Sequence, residues 1–133
     1  MAEYNKISIG QNKLEYYQKG KGEPLLFLHG YGTRLSHFNE LFKKIQEKKD
    51  YEIIAPIMYG INYLKNQPKT IEEYAELTAD FCSKLMLGEH KLTGYSIGAA
   101  TGFILANDAS VKKNLKKIVD TINSFLDKAS DKK

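Results

Sequence analysis

The chain has 133 residues, 42% hydrophobic and 27% charged, which suits one soluble globular domain with a real core. No stretch approaches the ~20 apolar residues of a membrane-crossing helix, and Met1–Lys6 lacks a signal-type apolar run, so the expected location is the cytoplasm. The formal net charge of +4 owes much to Lys112, Lys113, Lys116, Lys117, Lys128, Lys132 and Lys133. Asp120, Asp127 and Asp131 interrupt that run and no aromatic stacking set accompanies it, so it reads as a solvated face and tail, not a nucleic-acid site.

Lys6–Ile9 and Lys13–Gln18 read as two short strands joined by a turn at Gly10-Gln11-Asn12. Gly20-Lys21-Gly22-Glu23-Pro24 breaks the chain. Leu25-Leu26-Phe27-Leu28 is continuously apolar, as in a strand buried on both faces of a parallel sheet. A helix follows, with Ser36 as candidate N-cap and Phe38, Leu41, Phe42 and Ile45 at helical spacing. Tyr51–Ala55 reads as the next strand, closed by Pro56, and a polar loop through Gly60, Asn62, Asn66 and Pro68 follows it.

Thr70-Ile71-Glu72-Glu73 has the capping-box pattern. The helix behind it aligns Ile71, Tyr74, Ala75, Thr78, Phe81, Cys82 and Leu85 on one face, where Cys82 acts as a small buried hydrophobe. As the lone cysteine it forms no internal disulfide, which fits a reducing compartment. His90–Gly94 is a short strand, and Ile97–Ala106 a small, apolar helix able to pack closely on the sheet. A last lysine-rich helix is expected over Val111–Leu126, with Val111, Leu115, Ile118, Val119, Ile122 and Leu126 as its stripe. Strands alternating with helices imply an α/β fold with a mostly parallel sheet flanked by helices, in a single domain over 1–133.

Two motifs carry chemistry. Gly94-Tyr95-Ser96-Ile97-Gly98 has the form Gly-x-Ser-x-Gly where a strand turns into a helix. Its glycines let strand and helix approach at a sharp turn, while the serine takes a strained conformation that exposes its oxygen. His29-Gly30-Tyr31-Gly32 directly follows the buried strand, where a glycine-rich turn can aim backbone N–H groups into the cleft above the sheet.

Two N-terminal strands, a His-Gly turn after the third and Gly-x-Ser-x-Gly after the fifth resemble the N-terminal half of the α/β-hydrolase superfamily, over roughly residues 5–107. The resemblance implies a truncated three-layer α/β sandwich and a serine hydrolase of esterase or lipase type. It matches Ser96 to the nucleophile of such enzymes and the N–H groups of Tyr31 and Ile97 to their oxyanion hole. His29, Gly30, Gly94 and Gly98 match positions that shape the two turns. No position matches the catalytic Asp or His, which in that family lie after later strands.

Other bases are poorly placed. His90 precedes Ser96 by six positions on one strand, about 20 Å away. His37 reads as a helix-start residue, and His29 as a turn histidine bonded to backbone. Three functions therefore stand. The first is an acyl-ester hydrolase represented by its N-terminal half, with the C-terminal half a separate chain or lost by truncation. The second is a non-catalytic binding domain on the same scaffold, with the edge of the Ser96 strand covered by the Val111–Leu126 helix or paired with a second copy. A homodimer or a complementing C-terminal half is the expected partner. The third is a doubly wound domain for a small phosphate ligand, although Gly30–Leu35 lacks the last glycine of Gly-x-Gly-x-x-Gly. No cofactor is expected, and the scattered histidines and single cysteine suggest no metal site.

Overall fold

A computed structural model describes residues 3–58 and 67–107. The expected helix over 111–126 lies outside the described residues. In chain order the elements are β1 (Glu3–Ile9), β2 (Asn12–Lys19), β3 (Glu23–Leu28), a 3-10 turn (Leu35–Phe38), α1 (Asn39–Lys48), β4 (Tyr51–Pro56), α2 (Ile71–Lys84), β5 (Lys91–Gly94) and α3 (Ile97–Asn107).

The strands form one sheet in the order β1-β2-β4-β3-β5. β4, β3 and β5 are parallel, and the helices between them supply the crossovers that parallel strands need. The β1–β2 hairpin adds antiparallel ladders at one side, so the sheet is mixed. Gly10 turns that hairpin at φ +59°, a conformation open to glycine without steric cost, which sets Ile9 opposite Asn12.

Both faces of the sheet are covered. Leu26 and Leu28 of β3, with Leu14, Tyr16, Ile54 and Leu92, pack under Tyr74, Ala75, Leu77, Phe81 and Cys82 of α2 and Leu105 and Ala106 of α3. Leu25 and Phe27 point the other way and join Tyr17, Ile53 and Ala55 beneath Phe42 of α1 and Leu35 of the 3-10 turn. The continuously apolar β3 is thus split by its pleat between two cores, which gives the three-layer α/β sandwich. Burial also pushes the Cys82 thiol up to about 12, so it stays a neutral packing group.

Local capping differs from the sequence pattern in two places. Ser36 lies inside the 3-10 turn and caps nothing, because the chain tightens through His37 N–H to Arg34 O (3.0 Å) before α1 begins at Asn39. At α2, the Thr70 hydroxyl accepts from Glu73 N–H (3.1 Å) as expected, but the Glu73 carboxylate takes the Lys69 N–H (2.6 Å) instead of the N-cap amide.

The end of α2 is a Schellman motif, with Leu87 N–H bonded to Cys82 O and Met86 N–H to Ser83 O, each at 3.0 Å. Met86 thereby adopts φ +55° and is 86% exposed as a residue, so it bears left-handed strain with little packing in return. Met86→Gly should raise unfolding stability by about 0.5–1 kcal/mol, read from urea denaturation midpoints at constant m.

Candidate active site

The site forms where two neighbouring parallel strands send their chains to opposite faces of the sheet. Leu28 at the end of β3 pairs with Gly94 at the end of β5. From β3 the chain passes to α1 on one face; from β5 it enters α3 on the other. Open α/β sheets bind ligands in the crevice that such a divergence leaves at the carboxyl ends of the strands. The two turns singled out by sequence, His29–Gly32 and Gly94–Gly98, lie side by side there.

Ser96 stands at φ +57° and is exposed at the crest of its turn. A non-glycine residue in this region carries of order 1–2 kcal/mol of strain, which the surroundings must impose. Tyr95 N–H donates to Leu28 O (3.0 Å), tying the turn to the end of β3. Gly98 N–H donates to Tyr95 O (2.9 Å), and Ala99 and Ala100 N–H converge on Ser96 O at 2.9 and 3.2 Å. The bonds on both sides of Ser96 leave its backbone no relaxed alternative.

The two motif glycines follow from this close approach. A β-carbon on Gly98 would collide with the carbonyls of Leu28 and His29. One on Gly94 would lie 2.6 Å from Ala99 N and Gly98 C. In each case the obstacle is backbone, so no side-chain adjustment relieves it. Among the first four amides of α3, Gly98, Ala99 and Ala100 have backbone acceptors, whereas Ile97 has none among the described residues. The Ile97 N–H is therefore an orphan donor at a helix start, immediately after Ser96.

The His29–Gly32 turn is held from beneath. Gly30 O accepts Thr33 N–H (3.1 Å), the Thr33 hydroxyl (2.6 Å) and His29 Nδ1–H (2.8 Å). The peptide is trans, so with this carbonyl turned to Thr33 and His29, the Tyr31 N–H points the opposite way. Gly30 also makes room for Tyr95, since a β-carbon there would sit 2.8 Å from the Tyr95 ring.

His29 is fully buried, and both its ring nitrogens are engaged. Met58 N–H donates to Nε2 (3.0 Å), which leaves the proton on Nδ1 to bond Gly30 O. The ring thus bridges the turn after β3 to the segment after β4. His37 is exposed, and its Nδ1 accepts Arg34 N–H at 3.4 Å within its own turn. His90 is buried just before β5, at the opposite end of that strand from Ser96, and its Nδ1–H bonds Gly88 O (2.8 Å). These are all three histidines of the chain. Among the described residues, no hydrogen bond joins the Ser96 hydroxyl to a histidine or carboxylate, and no cluster of three or more His, Cys, Asp or Glu could hold a metal.

Sequence reading missed two supports of this site. Thr33 stands three residues after Gly30, the spacing at which a hydroxyl bonds a turn carbonyl, so a local signal existed. The Met58 amide left no signal, because it meets His29 only through the pairing of β3 with β4.

No family model matches the chain. Over 104 residues it is 31% identical to the Mycoplasma pneumoniae protein named "Putative esterase/lipase 2", spanning 74% of this chain and 37% of that protein. Over 124 residues it is 30% identical to "Putative esterase/lipase 3" of Mycoplasma genitalium, spanning 89% of this chain and 44% of that protein. The chain therefore matches less than half the length of either relative. Its fold superposes on the crystal structure of a membrane phospholipase A described as a bacterial virulence factor, with a TM-score of 0.71 at 17% identity, covering 82% of this chain and 36% of that one. The architecture is that of a partial α/β-hydrolase fold, and the sequence is similar to proteins named as esterase/lipase.

Gly98→Ala should cost roughly 3 kcal/mol of stability, because it forces backbone apart. Gly32→Ala should cost only about 1 kcal/mol, since Gly32 (φ +72°) has open space around it and only its conformation opposes a side chain. Chemical denaturation of the two variants measures the contrast. Burial lowers the pKa of both His29 and His90, against the raising effect of their carbonyl bonds. The unfolded chain then takes up these protons first, so stability is full above the unfolded histidine value near 6.5 and is lost as pH falls below it. Denaturation midpoints should decline from about pH 7.5 to about pH 5, less steeply in His90→Gln, which removes one of the two titrating groups.

Proposed function

We propose that the chain is the nucleophile-bearing part of a hydrolase acting on acyl esters. Hydrolase-type function is supported by the similarity to proteins named as esterase/lipase and by the hydrolase fold. The observation that carries the reading is the strained, exposed Ser96 at φ +57°, on the crest of a turn beside an unengaged Ile97 amide. Ser96 Oγ attacks the ester carbonyl, and the negative charge that develops on its oxygen is met by the N–H groups of Ile97 and Tyr31. These donors are backbone groups held by β3, β5 and α3, so little reorganisation is needed as charge appears.

The base that takes the Ser96 proton comes from polypeptide other than the described residues, as a complementing segment or a partner chain. His29 is unsuited to that role, with Nε2 occupied by Met58 N–H and its protonated form disfavoured by burial. Without a base, the oxyanion donors and the exposed hydroxyl alone give slow turnover.

A fluorophosphonate probe tests the reading. The expected result is slow, stoichiometric modification at Ser96, absent in Ser96→Ala and accelerated at least about 10³-fold when a complementing base is supplied. Failure to label Ser96 with or without candidate partner polypeptides would favour a binding domain that retains the hydrolase scaffold without the chemistry.

A further inference from the structure

Two large aromatic residues, one in each of the turns that meet at the site, are left exposed. Tyr95 immediately precedes Ser96 and is 54% exposed; Tyr31 carries one of the proposed oxyanion amides and is 68% exposed. Tyr95 is nevertheless held in place. Its ring lies against Gly30 across the His29–Gly32 turn, and it meets Phe38 edge-to-face with centroids 5.5 Å apart. Phe38 in turn packs on Phe27 at 4.7 Å and on Phe42 at 6.4 Å, so the ring that steadies Tyr95 is anchored in the core. The result is a rigid aromatic surface that begins at the nucleophile and is backed by the sheet.

We infer that Tyr95, with Tyr31, forms an aromatic shelf selecting esters whose acid is apolar and bears a flat ring, in preference to straight alkyl acids. The inference rests on Ser96 and the Tyr31 and Ile97 amides fixing the ester carbonyl, as proposed above. A carbonyl held there places the neighbouring group of the substrate within reach of Tyr95, the residue next to the nucleophile. A flat ring gains edge-to-face or offset contact with a pre-ordered tyrosine, whereas a flexible chain must lose rotamer freedom to cover the same surface.

Binding without chemistry tests the shelf. The full-length Ser96→Ala chain is titrated with 2-phenylacetamide and with hexanamide, neutral amides that present a carbonyl but do not react, and chemical shifts are followed by NMR. Phenylacetamide should bind about three- to tenfold more tightly, the amount an aromatic contact adds beyond area burial. Tyr95→Leu in the same background keeps an apolar side chain without the flat ring and should abolish the preference, with its fold checked by circular dichroism. Equal binding of the two amides, or a preference that survives Tyr95→Leu in a folded protein, would overturn the inference. The outcome is separable from the reactivity of Ser96: a preference for phenylacetamide together with no fluorophosphonate labelling upholds the shelf and rejects the esterase reading.

Discussion

The contact on which the rest depends is the seating of the first turn of α3 on the end of β3. Tyr95 N–H bonds Leu28 O, and Gly98 lies directly against the carbonyls of Leu28 and His29. That approach brings the Gly94–Gly98 turn and the His29–Gly32 turn into one crevice. It also holds Ser96 in a left-handed conformation that a serine would leave if free, and the two cores on either face of β3 supply the stability that offsets the strain.

A second constraint works from below. His29 is buried between the turn after β3 and the segment after β4, and it stays neutral because burial disfavours the imidazolium. A neutral ring donates through one nitrogen and accepts through the other, so it can satisfy a carbonyl and an amide together; the charged form would lose the acceptor. With Gly30 O bound by His29 and Thr33, the orientation of the next peptide is settled, and with it the direction of the Tyr31 N–H. Donor groups built in this way are rigid before any ligand arrives, which is the property electrostatic stabilisation requires.

Much of the framework was legible in sequence. The buried β3, the hairpin, the amphipathic α2 and the strand–turn–helix at Ser96 all follow from apolar periodicity and turn residues, which are local properties. The departures came where a local pattern had competitors. Ser36 looked like an N-cap, but the Arg34–His37 turn tightened the chain first. Glu73 completed half a capping box because the Lys69 amide was in better reach. The antiparallel attachment of β1–β2 to β4 depends on which strand ends up beside which, and no short-range pattern encodes that.

The sequence by itself determined the alternation of strands and helices, the apolar set that forms the two cores and the placing of glycines where backbones must nearly touch. These are consequences of chain stiffness, hydrophobic spacing and the missing β-carbon, each readable within a few residues. Only the tertiary structure decided what those residues do together. The crevice exists because β3 and β5 became neighbours whose chains leave to opposite faces, and His29 became a buried bridge because β4 lies beside β3. Tyr95 became a shelf because Phe38, far away in sequence, came to rest against its ring. Such relations depend on long-range packing, whose free energy is shared among many residues and written in none of them singly.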